Sequence, residues 1–187
     1  MTEEIVRARL VAAIGDRAVL SAAQLAALDP VIAVENTQAM LAVAPESVAD
    51  IVAVFAVCAA LGVPVIPQGG RTGLAGGAAA SGVEVLFLGT RMPRVLDVDA
   101  VSQTVVVSAN MPLAEAEAAV REHGLTLGID LAARDTATIG GMISTNAGGM
   151  EAFRNGTMRE RVLGLRAVMP DGTVLDDLAR VRKCNEG

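Results

Sequence analysis

The chain has 187 residues, of which 52% are hydrophobic and only 2% aromatic, and its net charge is −6 at pH 7. This length suits one large domain or two small ones with a substantial core. The acidic balance argues against nucleic acid or an anionic membrane as a partner. The longest apolar run falls short of the roughly 20 residues that a membrane span needs.

Few side chains are available for metal binding or for nucleophilic catalysis. His123 is the only histidine, and Cys58 and Cys184 are far apart in sequence. No metal cluster or Ser/His/Asp arrangement can be assembled from them. The N-terminus has no basic signal-peptide region, and the cysteines form no disulfide framework. We therefore expect a cytoplasmic protein with a buried thiol at Cys58.

The N-terminal third shows helical spacing followed by short apolar runs. The pattern predicts a helix over Glu3 to Ile14 and a shorter one over Ala22 to Leu28, with Ser21 as its N-cap. Short strands are predicted at Val31 to Val34 and at Ala39 to Val43.

The next segment carries the clearest helix signals in the chain. Ser47 is the predicted N-cap of a helix over Val48 to Leu61, Asp50 occupies the capping-box position, and Gly62 ends the helix. A strand over Val63 to Ile66 follows. A strand, a capped helix and a second strand within this length form a βαβ unit, whose strands should be parallel.

A glycine-rich loop follows this strand directly: residues 67–77 read PQGGRTGLAGG. Successive backbone N–H groups in such a loop form a nest for anions, of which phosphate is the commonest. Thr72 adds a hydroxyl, and Arg71 can add a charge-assisted contact. The loop has no Gly-Lys-Ser/Thr, and no two glycines in the chain are two positions apart. A Walker loop and a Gly-x-Gly-x-x-Gly fingerprint are therefore excluded. The alternative is a flexible loop or a tight pair of turns.

Beyond the loop, short strands with short connections favour antiparallel pairing. A helix beginning after Pro112 is predicted over Leu113 to Glu122, and an irregular loop over Asp130 to Thr136. The predicted strands are Val83 to Leu88, Val95 to Val98, Thr104 to Ser108, and a hairpin of Val162 to Met169 with Thr173 to Leu175.

A second glycine-rich block, residues 138–149, reads TIGGMISTNAGG. Thr138 can cap a short helix there. Gly140 and Gly141 can bring backbone close to a flat ligand, and Asn146 offers donors and acceptors. The alternative is a glycine-rich helix start that packs against a sheet.

A third block, residues 156–165, reads GTMRERVLGL and is followed by Asp171-Gly172-Thr173. In this order the three blocks resemble those of FAD-linked oxidases of the vanillyl-alcohol oxidase type. The resemblance is to D-lactate dehydrogenase, D-2-hydroxyglutarate dehydrogenase and the FAD subunit of glycolate oxidase, and it extends from about Val43 to the last residue. Met142 and Asn110 stand where these proteins usually carry Asn and Gly.

The resemblance implies an α+β FAD-binding domain over residues 1–187. A small βαβ subdomain would cover about 30–79, and a larger, mainly antiparallel sheet with helices about 80–187. FAD would lie between the two subdomains, with its pyrophosphate on the first loop. The implied cofactor-binding residues are Pro67, Gln68, Gly69, Gly70, Arg71, Thr72, Gly73, Leu74, Gly76, Gly77, Asp130, Thr138, Gly140, Gly141, Ser144, Asn146, Gly148 and Val162.

The last residues, Lys183 to Gly187, resemble the Lys-x-Asn-x-Gly segment that precedes a substrate domain in this family. The resemblance implies a larger flavoenzyme in which a base takes the hydroxyl proton of a D-2-hydroxyacid while hydride passes to flavin N5. That substrate domain would be absent, so we expect this chain alone to be inactive. Two alternatives stay open. One is a related flavoenzyme, such as UDP-N-acetylenolpyruvoylglucosamine reductase or the FAD subunit of a molybdenum hydroxylase. The other is a non-catalytic nucleotide-binding module.

Overall fold

The computed structural model describes residues 2–178, which fall into two compact units. The first comprises residues 2–93 together with Val168–Val174, and the second comprises Arg94–Ala167 together with residues 175–178. Helices and strands are mixed, and the fold class is α+β, as the sequence predicts. The predicted Lys-x-Asn-x-Gly segment lies outside the described residues.

The secondary structure consists of short helices and short strands in alternation. The α-helices are α1 (Glu3–Ile14), α2 (Ala22–Ala26), α3 (Val48–Leu61), α4 (Leu113–Arg121), α5 (Ile139–Ser144) and α6 (Ala152–Asn155). The strands are β1 (Leu41–Val43), β2 (Val65–Gln68), β3 (Val85–Leu88), β4 (Leu96–Asp99), β5 (Thr104–Val107), β6 (Leu165–Val168) and β7 (Val174–Asp177). Short 3-10 helices occupy Asp16–Ala18, Val34–Thr37, Gly89–Arg91 and Met158–Glu160.

A three-stranded parallel sheet with strand order β1-β3-β2 forms the centre of the first unit. Val85 of β3 lies opposite Leu41 on one side and Val65 on the other. The predicted parallel direction of β1 and β2 is confirmed. The expectation that Val83 to Leu88 belongs to the antiparallel subdomain is wrong, because β3 inserts between the two strands of the βαβ unit.

Helix α3 begins and ends where the sequence predicts. The Ser47 hydroxyl accepts a hydrogen bond from Asp50 N at 3.1 Å, and Gly62 ends the helix with a left-handed φ of 65°. Asp50 does not complete a capping box, because its carboxylate accepts from Glu46 N at 3.0 Å. The core beneath α3 contains Val54 and Cys58, both buried.

The segment between α2 and β1 differs from its prediction. Residues 31–34 do not form a strand: Val31 has a φ of 64°, and Val34–Thr37 is a 3-10 helix. The Val31 N–H donates to the Asp29 carboxylate at 2.8 Å, which fixes a turn at the predicted strand position. This turn buries Asn36, which is 3% exposed.

The second unit contains the predicted antiparallel pair and the predicted helix after Pro112. Strands β4 and β5 are antiparallel, with Leu96 opposite Val107, and β6 pairs with β7 across the predicted turn. A second hydrophobic cluster lies around α4 and α5 and contains Leu113, Ala116, Ile139 and Met142. Across residues 2–178, no helix has both the length and the apolar character needed to cross a membrane.

Candidate functional site

The glycine loop leaves the carboxyl end of β2, where parallel sheets commonly place ligands. The strand is displaced by two residues from its prediction, so that Pro67 and Gln68 belong to β2 and the loop begins at Gly69. Most of the loop is exposed, and Leu74 at its apex is 93% exposed. A large apolar side chain in this position has no packing role within the first unit.

The backbone donors of this loop are unused by the protein. Within residues 2–178, no backbone N–H from Gly70 to Gly77 donates to a protein acceptor. The first N–H that does so after the loop is that of Ala79, which donates to Gly76 O at 3.0 Å. A run of free amides on an exposed turn is the donor set that a phosphate group requires.

Two glycines in the loop have no explanation within the protein. A Cβ built on Gly73 or on Gly77 meets no atom of residues 2–178 within 4 Å, and neither residue has a positive φ. Another residue type would therefore fit at both positions without strain, and packing within the first unit does not require glycine there.

Gln68 and Arg71 use side-chain nitrogen atoms as hydrogen-bond donors to backbone carbonyls of the protein. Gln68 Nε2 donates to the carbonyls of Asn36 and Ala78 at 2.6 and 2.7 Å, and Arg71 Nε donates to Asp29 O at 2.8 Å. Burial lowers the pKa of the Arg71 guanidinium, and the Asp29 carboxylate partly offsets this effect. These donor atoms are not available to a phosphate, whereas the other guanidinium nitrogens of Arg71 are.

The start of helix α5 is capped by the protein itself. Thr138 accepts from Gly141 N through its hydroxyl at 3.4 Å, which confirms its predicted capping role. Ile139 N donates to Met111 O, and Gly140 N donates to Ala109 O at 2.8 Å. The anion site that helix N-termini often provide is therefore occupied here by protein carbonyls.

Gly140 is required by packing. A Cβ at Gly140 would lie 2.8 Å from the Cβ of Ala109 and 3.0 Å from its carbonyl oxygen. The Gly140 N–H is used by the protein, and the Gly141 N–H is directed to the Thr138 hydroxyl. This glycine-rich helix start packs against Ala109, and the approach of Gly140 and Gly141 backbone to a ligand stays a prediction.

The end of the second block lies against the loop that contains Asp130. The Asp130 carbonyl accepts from Met150 N at 2.9 Å, and the Asp130 carboxylate pairs with Arg134 at 3.0 Å. Among residues 2–178, the N–H groups of Gly148 and Gly149 have no protein acceptor. These two amides are backbone donors of the second block that a ligand can use.

One end of the Asn146 side-chain amide forms a hydrogen bond within the protein, and the other end is free among the described residues. Its backbone has a φ of 50°, and Oδ1 accepts from Arg159 N at 2.9 Å. In the described part of the chain, Nδ2 has no acceptor. The Ser144 hydroxyl donates to Gly140 O at 2.8 Å, and Val162 is half-buried without a polar contact.

Met142 lies in the second hydrophobic cluster and is 3% exposed. Its side chain fills protein interior rather than a surface that a ligand can reach. Similar proteins usually carry Asn at position 142. Met142 therefore differs from them in how the protein interior is packed.

Two further titratable residues, His123 and Cys58, are not part of the candidate site. His123 is exposed at the end of α4, and Cys58 is a buried free thiol whose pKa is raised to about 11 by burial. In residues 2–178, no group of three or more His, Cys, Asp or Glu side chains is placed to hold a metal ion.

Asn36 contacts the base of the loop, although it is not among the residues selected from the sequence. Its side chain donates to Pro30 O at 2.9 Å and to Arg71 O at 3.4 Å. Its partners are 6 and 35 residues away in the chain. No local sequence pattern marks such a residue.

A family model described as an FAD binding domain matches residues 39–177. The chain is 45% identical over 132 residues to the D-2-hydroxyglutarate dehydrogenase of Xanthomonas citri pv. viticola, covering 71% of this chain and 28% of that protein. It is 35% identical over 158 residues to the D-lactate dehydrogenase of Archaeoglobus fulgidus, covering 84% of this chain and 35% of that protein.

Among solved structures, a variant of Phl p 4 described as a glucose oxidase matches with a TM-score of 0.77 at 18% identity. That match covers 91% of this chain and 37% of that chain. At this identity the likeness concerns the fold alone. The chain thus spans about a third or less of the length of the curated relatives described above.

Proposed function

Because this chain belongs to the family of FAD-binding domains, we propose that it is the cofactor-binding part of a flavin-dependent dehydrogenase or oxidase acting on a D-2-hydroxyacid. The two named relatives support the substrate class, because their names specify D-2-hydroxyglutarate and D-lactate, which are both D-2-hydroxyacids. The chain covers 28% of the first relative, and we place the substrate-binding groups of the enzyme outside it.

The single observation that carries the proposal is the run of free N–H groups from Gly70 to Gly77. The pyrophosphate of FAD has several oxygens that share negative charge and need donors from more than one direction. Backbone amides meet this need without a positively charged surface, which suits a chain whose net charge is −6. The Thr72 hydroxyl, which has no protein partner among residues 2–178, is a further donor.

The chemistry of the glycine positions supports a ligand at this loop. Gly73 and Gly77 have room for a side chain and ordinary backbone conformations. A methyl group at either position would project from the turn and keep a ligand at a distance from the amides. We therefore assign Gly73 and Gly77 to close contact with the diphosphate.

In the second block we assign fewer atoms to cofactor contacts than the sequence predicts. We assign Asn146 Nδ2 and the N–H groups of Gly148 and Gly149 to contacts with FAD, because these donors have no protein acceptor in the described residues. Gly140 and Thr138 support the fold of this segment.

When bound, FAD supplies the two-electron oxidising chemistry of the enzyme. The residues of this chain hold and orient the cofactor, and none of the residues assigned here moves a proton. We therefore expect the isolated chain to bind FAD and to have no turnover.

The test is flavin retention by the purified chain. Mixed with FAD and passed over a gel-filtration column, the chain should elute with a flavin absorption band, and a Thr72→Ala variant should retain less flavin. A protein that elutes without flavin under conditions in which it is folded would contradict the assignment.

The substrate class is tested on the whole enzyme that contains this chain. With an artificial electron acceptor, we expect turnover with D-2-hydroxyglutarate, D-lactate or glycolate, and none with L-lactate. Turnover with none of the 2-hydroxyacids, in a preparation that holds FAD, would contradict the substrate assignment but leave the cofactor assignment intact.

We also propose that the protein resides in the cytoplasm. The buried, free Cys58 thiol is compatible with a reducing compartment. Cell fractionation with an antibody against the chain is the measurement, and recovery in any other compartment would contradict the proposal.

A further inference from the structure

A single side-chain amide connects the beginning of the glycine loop to its end. Gln68, the last residue of β2, is 7% exposed. Its Nε2 donates to Ala78 O at 2.7 Å, directly after the loop, and to Asn36 O at 2.6 Å. Both hydrogen atoms of the amide are thus used to close the base of the loop.

Asn36 holds the same loop from a second point. It is 3% exposed, and its Nδ2 donates to Arg71 O at 3.4 Å and to Pro30 O at 2.9 Å. Its backbone carbonyl accepts the hydrogen bond from Gln68. Asn36 therefore contacts both the loop and the residue that closes the loop.

The loop conformation requires external support. Arg71 has a φ of 55°, a backbone conformation that costs free energy in residues other than glycine. Two hydrogen bonds hold Arg71 there: one from Asn36 to its carbonyl and one from its own Nε to Asp29 O. Since the amides from Gly70 to Gly77 have no acceptors within residues 2–178, no hydrogen bond donated by these amides replaces this support.

From this geometry we propose that Asn36 and Gln68 are positioning residues that fix the glycine loop in its FAD-binding shape. Neither side chain is assigned a contact with the cofactor. They keep the free amides of the loop oriented before the ligand arrives, so that less conformational entropy is lost on binding. This inference rests on the proposed function, since it assumes that the loop binds FAD.

One buried atom of this network remains without a partner. Gln68 Oε1 is buried, and no group within residues 2–178 donates to it. An apolar replacement of similar length removes both Nε2 hydrogen bonds together with the unpartnered Oε1, and it leaves the Asn36 and Ala78 carbonyls without this donor. Gln68→Met is such a replacement and is the cleanest test of the residue.

The experiment compares Asn36→Ala, the isosteric Asn36→Asp, and Gln68→Met with the wild-type chain. The first measurement is the ¹⁵N order parameter of the amides from Gly70 to Ala78 in the absence of FAD. We expect values of about 0.85 in the wild-type chain and below about 0.6 in the three variants. The second measurement is the Kd for FAD, which should rise at least about tenfold in each variant.

A control separates loss of loop order from general loss of stability. Val54 is fully buried in α3 and belongs to the hydrophobic cluster of Leu41, Val43 and Val85, which does not include Asn36 or Gln68. Val54→Ala should reduce the urea midpoint of the chain and leave both the order parameters and the FAD affinity unchanged. The double variant Asn36→Ala/Gln68→Met should bind FAD no more weakly than the weaker single variant, because both residues act through one loop.

The outcomes distinguish this inference from the proposed function. If the wild-type chain binds FAD and the three variants bind it equally well with an ordered loop, the positioning role is overturned. If the folded wild-type chain binds no FAD, the proposed function fails. In that case the order parameters of the unliganded chain still decide whether Asn36 and Gln68 fix the loop.

Discussion

Gly149 lies so close to Asp130 that a Cβ atom on the glycine would be 2.2 Å from the Asp130 carbonyl oxygen and 2.7 Å from its nitrogen. Met150 N donates to the same carbonyl at 2.9 Å, which keeps the two segments in contact. The second unit itself therefore requires a glycine at this position. At Gly73 and Gly77 the protein has no such requirement.

Replacing Gly149 by alanine should destabilise the protein. Because the obstructing atoms belong to the backbone, they cannot rotate away, and one of the two segments must shift. We expect Gly149→Ala to lower the free energy of unfolding by about 2 kcal/mol or more, the upper part of the range for overpacked sites. Urea unfolding is the measurement. Gly73→Ala is the matched control, and equal stability of the two variants would contradict this explanation.

Replacing Gly73 or Gly77 by alanine should leave the stability of the fold intact and weaken FAD binding. Neither new methyl group meets a protein atom, and the unfolded chain loses conformational freedom. The free energy of unfolding should therefore stay constant or rise by up to about 1 kcal/mol. The Kd for FAD, measured by titration of flavin fluorescence, should rise at least about tenfold. Unchanged FAD affinity in both variants would show that the ligand does not approach this side of the loop.

The Cys58 thiol should be unreactive in the folded chain. Burial raises its pKa to about 11, so the thiolate fraction at pH 8 is about a hundredfold below that of an ordinary cysteine. In a Cys184→Ser background, reaction with a disulfide reagent should be at least about a hundredfold slower in buffer than in urea. Rapid labelling of folded protein would show that α3 opens readily. The Cys58→Ser/Cys184→Ser variant gives the background signal.

Glu84 should make stability depend on acid pH. Hydrogen bonds from the Ser81 hydroxyl and from the Ser81 N–H lower the pKa of this carboxylate from 4.5 to about 2. A depressed pKa stabilises the folded state above the unfolded value, and this contribution is lost as the pH falls from about 4.5 to about 2. Glu84→Gln should therefore lose less stability than the wild-type chain between pH 5 and pH 2.5.

Urea unfolding at both pH values checks this prediction. Glu122→Gln, which removes an exposed carboxylate at the end of α4, is the control and should keep the wild-type pH dependence. An identical loss of stability in Glu84→Gln and wild type would mean that the turn before β3 does not depend on the ionised carboxylate.

The local elements of the fold were accessible from sequence because their signals are short-range. Helix α3 begins after Ser47 and ends at Gly62, and α1 spans the predicted residues, since caps and hydrophobic spacing act within a few positions. The strand predicted at Val31 to Val34 shows the limit of such signals. An apolar run there is overridden by a turn in which Asp29 accepts from the Val31 N–H.

The two parts of the candidate site could be predicted from the sequence to different degrees. In the first loop, glycines without a packing role are recognisable from their number and from the strand that precedes them. In the second block, the glycines looked alike in sequence but have different tasks. Gly140 packs against Ala109, whereas Gly148 retains a free N–H. Which neighbour a glycine approaches is a long-range property that spacing does not encode.

The amino-acid sequence by itself determined the family, the α+β class, the caps of the main helix and the position of the glycine loop, because each depends on residues that are adjacent in the chain. Only the tertiary structure decided that β3 lies between β1 and β2, and that Asn36 supports a loop 35 residues away. Strand order and buried hydrogen bonds depend on which distant segments share one core. That choice is made by the packing of the whole unit and by no local pattern.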